Sequence, residues 1–251
     1  MADAKRHLVY GLHAVGAVIE RSPERLLELW MAEPRQDARA RSLKDRAQTA
    51  GIRVQTVSSD SLAKLAGDVA HQGAVAAVRP LKAWDEHDLL GAISELDAPL
   101  LLVLDGVTDP HNLGACLRVA DGVGAHAVIV PKDRAVGLNA TAAKVASGAA
   151  ETVPYITVTN LARTLRDLKD RDIWLIGTSD DGEKGLYEAD FTGPTALVMG
   201  SEGEGMRRLT RETCDMLVSI PMFGSVESLN VSVASGVCLY EARRQRIAKE
   251  G

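Results

Sequence analysis

The composition and charge of the chain limit the class of protein. It has 251 residues, 46% hydrophobic and 25% charged, with a net charge of −5 at pH 7, which excludes a disordered or fibrous chain. No uninterrupted apolar run is long enough to cross a bilayer, and residues 1–6 are too polar for a signal peptide, so we expect a cytoplasmic protein without membrane contact. The three cysteines lack CxxC spacing and paired histidines, so we expect no metal site and no disulfide.

The first 80 residues alternate between helix-like and strand-like segments. We predict helices over residues 11–21, 38–50 and 59–65, and strands over residues 26–31, 52–57 and 74–78. These segments form a compact α/β unit with 12 basic and 9 acidic residues, net +3, whereas the remainder of the chain is net −8. The basic side chains of this unit include Arg35, Arg39, Arg41, Lys44, Arg46 and Arg53. Each is as readily explained by a solvated helix face as by contact with a nucleic acid.

A predicted linker over residues 81–98 separates this unit from the rest, with a short helix expected at residues 89–95. Beyond it, strands are predicted at residues 100–104, 127–130, 155–158, 173–178, 196–199 and 216–220, with helices between most of them. A final helix is predicted over residues 229–249, with Val233, Val237 and Tyr240 on one side that faces the core or a second subunit. Such alternation favours an α/β fold with a parallel sheet covered on both faces.

Polar residues follow the predicted strand at residues 100–104. Residues 105–118 read DGVTDPHNLGACLR, in which Asn112 is suited to cap the next helix and Arg118 lies one to two turns along it. Ligands bind at such strand ends in open α/β sheets. Alone, however, an arginine in this position is more often solvated or salt-bridged than catalytic.

Two later strands also end in loops rich in small and polar residues. Residues 196–206 read ALVMGSEGEGM and contain Gly200 and Glu202. Residues 220–232 read IPMFGSVESLNVS and contain Ser228 and Asn230. Three junctions of this kind suggest one composite pocket. We expect Gly203 and Gly205 to shape the turn of their loop and Glu204 to lie on the surface.

These three motifs, in this order, resemble those of the SpoU-type RNA 2′-O-ribose methyltransferases of the SPOUT superfamily. The likeness is strongest to bacterial members that methylate a guanosine in 23S ribosomal RNA. Residues 9–15 and 71–73 are similar to the small substrate-binding domain of that family. The resemblance implies an N-terminal RNA substrate-binding domain at residues 1–80 with an L30e-like α/β fold. It also implies a methyltransferase domain at residues 99–251 whose parallel sheet carries a deep trefoil knot, which general topology rules would have excluded.

The resemblance further implies S-adenosylmethionine (AdoMet) as cofactor, a homodimer, and 23S rRNA or a large-subunit assembly intermediate as partner. The implied cofactor-binding residues are Gly200, Ile220 and Leu229. The implied catalytic residues are Arg118, Asn112, Glu202, Ser228 and Asn230. Glu202 would fix Arg118 or position the cofactor, and Asn112 would orient the ribose or hold Arg118.

The protonation role of Arg118 stays open at this point. Deprotonating an arginine guanidinium at neutral pH costs on the order of 8 kcal/mol. A charged Arg118 that binds a phosphate and stabilises developing alkoxide charge is therefore the less costly alternative.

Three other functions are alternatives to this one. A Rossmann-type oxidoreductase requires GxGxxG after the first strand of its fold, and residues 105–109 do not supply it. A noncatalytic RNA-binding or ribosome-assembly protein should have lost Asn112, Arg118 or the glycine loops, and all are present. A related enzyme that methylates tRNA is the most serious alternative.

Overall fold

The computed structural model describes residues 7–33, 38–67, 71–80 and 84–250. Its contacts divide the chain into two compact units: one comprises Met1–Lys82 with Ser147–Thr152, and the other comprises Ala83–Ala146 with Val153–Gly251. Arg35, one of the basic residues considered for RNA contact, lies outside the described residues.

The first unit is a small α/β unit built on a four-stranded mixed sheet. Its elements are β1 (His7–Tyr10), α1 (Leu12–Arg21), β2 (Leu26–Ala32), α2 (Ala38–Thr49), β3 (Val54–Val57), α3 (Ser59–Ala66) and β4 (Ala74–Val78). The strand order is β1-β4-β2-β3, with β4 antiparallel to both neighbours and β2 parallel to β3. Strand β1 was not predicted, because four residues next to a polar segment give too little periodicity.

The second unit carries a seven-stranded parallel sheet. Its helices are α4 (Glu86–Ile93), α5 (Pro110–Val123), α6 (Ala140–Val145), α7 (Leu161–Lys169), α8 (Arg208–Thr213) and α9 (Val231–Glu250). Its strands are β5 (Leu100–Asp105), β6 (Ala127–Pro131), β7 (Tyr155–Val158), β8 (Trp174–Thr178), β9 (Lys184–Gly185), β10 (Thr195–Gly200) and β11 (Met216–Ser219).

The strand order of this sheet is β7-β6-β5-β10-β8-β11-β9, and every pairing is parallel. This confirms the predicted α/β class and parallel sheet. The deep trefoil knot stays a prediction. Strands β5 and β6 are buried along their whole length, which explains their nearly uninterrupted apolar sequences.

Helices cover both faces of the sheet and fit closely against one another. The final helix, α9, packs along α5 and buries Ala234, Ser235, Cys238, Leu239 and Ala242. Helix α4 lies within the predicted linker but begins three residues earlier than expected, and its Leu89 and Ile93 belong to the core of the second unit. In the part of the chain that the structure describes, no helix is long and apolar enough to span a membrane.

The structure corrects one prediction about α5. Its N-terminal cap is Asp109, whose Oδ1 accepts a hydrogen bond from the backbone nitrogen of His111 at 2.9 Å. Asn112 lies inside the first turn, two residues after Pro110, the first residue of the helix. The Asp109-Pro110 pair starts the helix because proline is well tolerated at this first position. Asn112 is therefore free of the capping role that the sequence suggested.

Candidate active site

Three loops meet at the carboxyl edge of the parallel sheet. They follow β5, β10 and β11, and lead into α5, α8 and α9. Strand β10 lies directly between β5 and β8, and β11 is the next neighbour of β8. Because all these strands are parallel, their carboxyl ends share one edge, where open α/β sheets bind ligands.

A cavity of about 410 Å³ opens at this edge, within the size range of small-molecule sites. The three predicted cofactor-binding residues, Gly200, Ile220 and Leu229, all line it. Two of the predicted catalytic residues, Glu202 and Ser228, line it as well. The remaining lining residues are Thr178, Ser179, Asp180, Met199, Ser201, Gly203, Glu204, Gly205, Met206, Arg211, Met222, Glu227, Val231 and Ala234.

Gly200 is required by the loop that follows it. A Cβ atom on Gly200 would lie 2.2 Å from the carbonyl carbon of Gly205 and 2.3 Å from the nitrogen of Met206. The loop closes there through two backbone hydrogen bonds of 3.0 Å between Ser201 and Gly205. Gly203 and Gly205 have φ values of +82° and +69°, which favour glycine. The sequence suggested that a ligand lies close to the backbone of Gly200. The atoms that the structure places closest to it are backbone atoms of Gly205 and Met206 in the same loop.

The Glu202 carboxylate joins all three loops. Its Oε1 accepts hydrogen bonds from Asn112 Nδ2 at 3.2 Å, from the backbone nitrogen of Val231 at 3.3 Å, and from Asn230 Nδ2. Asn230 Nδ2 also donates to Asn112 Oδ1 at 2.9 Å. The structure thus brings together three of the five predicted catalytic residues, each from a different motif.

Asn230 has a second role at the start of α9. Its Oδ1 accepts hydrogen bonds from the nitrogen and the hydroxyl of Ser232, at 3.0 and 2.6 Å. Side-chain oxygens in this position satisfy the unpaired N–H groups of a helix N-terminus. Ser228 makes no hydrogen bond within the described chain and lies exposed on the cavity wall.

Arg118 makes no hydrogen bond to this cluster. It is exposed on α5, six residues after Asn112, which is about 9 Å along the helix axis. Among the described residues it has no hydrogen-bond or ion-pair partner. The bonds of Glu202 go to the two asparagines and not to Arg118, so the guanidinium is available to an external anion.

Asp105, at the end of β5, is a structural anchor that the sequence analysis did not identify. Its carboxylate is buried and accepts hydrogen bonds from the nitrogen and Nε of Arg207, at 2.9 and 2.6 Å. This pair fixes the far end of the loop that begins at Gly200. A charged residue at the end of a fully apolar strand is the signal that could have indicated a buried ion pair.

A second unpredicted feature is a set of hydrogen bonds made by Arg211, which also lines the cavity. Arg211 donates to Ser179 Oγ at 2.8 Å and to both carboxylate oxygens of Asp181 at 2.8 Å. Hydrogen bonds from Ser179 and Arg211 lower the pKa of Asp181 below its usual value. These contacts hold the loop after β8 against α8, and no local pattern in the sequence indicated them.

Among the described residues, Asp85, His87 and Asp88 come close enough to share a metal ion. The two carboxylates already have partners, since Asp85 and Asp88 form a reciprocal capping box at the start of α4. Their arrangement is thus explained by helix capping.

Comparison with known proteins gives a consistent result. The SpoU rRNA Methylase family matches residues 99–240, and the RNA 2′-O ribose methyltransferase substrate binding family matches residues 8–84. The chain is 62% identical over 244 residues to a 23S rRNA (guanosine-2′-O-)-methyltransferase, RlmB, from Ralstonia nicotianae, with 97% of each chain covered.

Solved structures agree with this assignment. The SpoU methyltransferase AviRb from Streptomyces viridochromogenes, in complex with AdoMet, has a TM-score of 0.75 and 29% identity, covering 98% of this chain and 92% of that one. The TrmH/SpoU tRNA modifying enzyme of A. aeolicus has a TM-score of 0.56 and 32% identity, covering 66% of this chain and 86% of its own. With its three motifs joined at one sheet edge and matched over residues 99–240, the chain belongs to the SpoU rRNA Methylase family.

Proposed function

We propose that this protein transfers a methyl group from AdoMet to the ribose 2′-oxygen of a guanosine in 23S rRNA. The observation that carries the proposal is the Glu202 carboxylate, which joins the three motif loops beside a cavity of about 410 Å³. The near full-length relative that methylates a guanosine of 23S rRNA supports the choice of substrate.

The cavity fits the chemistry of AdoMet. Met199, Ile220 and Leu229 supply apolar surface for an adenosyl group, while Asp180 and Glu227 place carboxylates where the cationic sulfonium and ammonium groups could be balanced. The tight turn at Gly200 leaves backbone groups at the cavity wall. AdoMet would supply the activated methyl group, and the protein supplies binding and orientation.

Several residues of the chain align the reacting groups. Transfer to a hydroxyl oxygen requires three atoms in line, so small displacements of the loops are costly. The three loops are held in place by the hydrogen bonds among Asn112, Glu202 and Asn230. The hydroxyl of Ser228 forms a hydrogen bond with the ribose or the cofactor. Arg118, charged and without a partner in the described chain, binds the phosphate beside the target and stabilises negative charge on the 2′-oxygen.

We also propose that different parts of the chain bind RNA and transfer the methyl group. Residues 1–80 bind RNA, residues 81–98 link the parts and residues 99–251 carry out methyl transfer. The match of the substrate-binding family to residues 8–84 and the net charge of +3 over residues 1–80 support this. The tRNA enzyme of A. aeolicus covers only two thirds of this chain, so the additional N-terminal part favours rRNA over tRNA.

A homodimer forms part of the proposal. Val233 and Tyr240 are more than half exposed on α9, and Ile247, one heptad after Tyr240, is 61% exposed. An exposed apolar side of a long helix is a common subunit interface. Because its substrate is ribosomal RNA, we expect the protein to act in the cytoplasm.

The test is methyl transfer from radiolabelled AdoMet to 23S rRNA and to tRNA in parallel, followed by mapping of ribose methylation in cells with and without the gene. We expect one guanosine of 23S rRNA to be modified, and Arg118→Ala protein to serve as the inactive control. Modification of tRNA alone would identify the tRNA enzyme instead. RNA binding without methylation of either RNA would identify a noncatalytic assembly protein.

A further inference from the structure

The loop between β11 and α9 carries an unusually exposed aromatic side chain. The chain has only two phenylalanines. Phe191 is completely buried, as phenylalanine usually is, whereas Phe223 is 96% exposed. Among the described residues it is the most exposed large apolar side chain, and the next, Val226 and Ile247, are each 61% exposed. Val226 belongs to the same loop.

This loop forms part of the cavity wall. Ile220 and Met222 line the cavity before Phe223, and Glu227 lines it afterwards. Consecutive Cα atoms are 3.8 Å apart, so the backbone of Phe223 lies about that distance from that of a lining residue. Phe223 therefore belongs to a loop that borders the cavity from which the methyl group is to be delivered.

Nothing in the described protein holds the ring in place. Residues 221–229 make no hydrogen bond to other described residues, and the loop has no regular secondary structure. An aromatic side chain whose apolar surface is in water is less favourable than one that is buried. A partner that covers the ring would therefore gain favourable binding free energy from burying it.

We propose that Phe223 stacks on the base of the target nucleotide and so presents its ribose to the cavity. This inference rests on the proposed function and deepens it by naming a substrate contact. A nucleotide that leaves the surrounding RNA stack exposes the face of its base to such a contact. Proteins commonly hold such splayed bases on exposed aromatic rings, and this stacking contributes to binding.

The geometry favours a base over a second copy of the chain as the occupant. Phe223 is on the loop at the carboxyl edge of the sheet, between residues that line the cavity, whereas the exposed apolar side proposed for dimerisation is on α9. A stacking contact in this loop serves the reaction directly. It also adds affinity that does not depend on base identity, because every base offers a π-face.

Steady-state kinetics with 23S rRNA test the proposal. Phe223→Ala should raise KM for the RNA about tenfold while the affinity for AdoMet stays within twofold of wild type. Phe223→Tyr and Phe223→Trp should keep most of the activity, but Phe223→Leu should not, because it is apolar and lacks an aromatic face. Tyr187→Ala removes another exposed aromatic, outside the cavity lining, and should leave KM unchanged.

A second measurement does not require turnover. In Phe223→Trp protein, stacking of the indole on a base should quench part of the tryptophan fluorescence when 23S rRNA is added, beyond the change seen with the three native tryptophans of wild type.

Two results would overturn the stacking proposal. The first is that wild type methylates rRNA and the kinetics of Phe223→Ala are within twofold of it, which would leave the proposed function intact. The second is that the Phe223→Ala variant sediments as a monomer where wild type is a dimer, which would assign the ring to the second copy. Absence of methylation by wild type would overturn the proposed function, while the fluorescence change would still report on stacking.

Discussion

Asp105 and Arg207 form a buried ion pair across 102 residues of sequence, and the pair joins the first motif to the second. Asp105 ends β5 and is paired in register with Gly200, the last residue of β10, and Arg207 ends the loop that follows Gly200. The carboxylate of Asp105 is fully buried, whereas the Arg207 side chain is partly exposed. The pair therefore attaches the end of the Gly200 loop to the end of β5.

Arg207→Gln should destabilise the protein by about 2 kcal/mol, because it leaves the buried carboxylate of Asp105 without its charged partner. Urea denaturation measures the change in unfolding free energy. Adding Asp105→Asn should restore part of the loss, since the buried charge is then removed. The control is Arg208→Ala, which breaks only an exposed pair with Glu212 and should change stability by no more than about 0.5 kcal/mol. Equal effects of the two arginine substitutions would contradict the anchoring role.

Gly200→Ala should weaken AdoMet binding at least tenfold, because the new Cβ would collide with the backbone of Gly205 and Met206 and displace the loop from the cavity. Calorimetric titration with AdoMet measures the loss. Gly193→Ala is the matched control: its Cβ would meet no atom within 4 Å, and its φ is not in the positive range. Unchanged AdoMet affinity in a folded Gly200→Ala protein would place the cofactor away from this loop.

Glu202→Ala should reduce kcat about 100-fold, because the three motif loops lose their shared acceptor and the reacting groups lose alignment. Glu202→Gln keeps an acceptor oxygen without the charge, so we expect a smaller loss of about tenfold. Glu183→Ala, at an exposed carboxylate outside the cavity lining, should stay within twofold of wild type. Equal loss in Glu202→Gln and Glu202→Ala would show that the charge, and not the acceptor, is the essential property.

His7 should make stability depend on pH through its contact with Glu151. A hydrogen bond to Glu151, 3.3 Å away, is the main cause that raises the pKa of His7 above 6.5. Burial opposes ionisation of Glu151, but hydrogen bonds from His7 and Arg25 outweigh it and lower its pKa. The charged contact therefore stabilises the fold fully below pH 6.5, and this is lost as the pH rises through the raised pKa of His7.

The comparison is between wild type and His7→Gln, by urea denaturation at pH 5.5 and pH 8.5. Wild type should exceed the variant in stability at the lower pH, and the difference should shrink at the higher pH. His13→Gln changes an exposed histidine on α1 and should show no such dependence. A difference that grows with pH would contradict the assigned direction of the shift.

The strands were largely predictable because buried parallel strands are uninterrupted apolar runs. Tyr155–Val158 was predicted with both ends correct, and β5, β6 and β11 within one residue. Strand β9 was missed because a two-residue strand has no periodicity to detect. The strand order could not be predicted, since insertion of β10 between β5 and β8 depends on long-range pairing that local patterns do not encode.

The candidate site was predictable in its location and not in its contacts. Glycine and polar residues after apolar strands indicated the three loops, and the sequence named Asn112, Glu202 and Asn230 individually. Their mutual hydrogen bonds span 28 to 118 residues, so no local spacing could reveal them. The same holds for Asp105 and Arg207, which are 102 residues apart in the sequence.

Arg118→Ala should abolish methyl transfer while leaving AdoMet affinity within twofold of wild type, because the exposed Arg118 side chain makes no hydrogen bond to Glu202 and does not line the cavity. If Arg118 binds a phosphate, removing it should also lower the slope of log Kd against log salt for rRNA by about 0.7 to 0.9. Arg118→Lys should keep that salt dependence but fail in catalysis, because a single ammonium cannot reproduce a bidentate contact.

Arg166→Ala, at an exposed arginine on α7, provides the control and should change neither activity nor cofactor binding. Loss of activity in Arg118→Ala with an unchanged salt slope would indicate that the guanidinium acts on the 2′-oxygen alone and not on a phosphate. Activity within a few-fold of wild type would remove Arg118 from the mechanism. The remaining candidates to stabilise the 2′-oxygen would then be Ser228 and the asparagine pair.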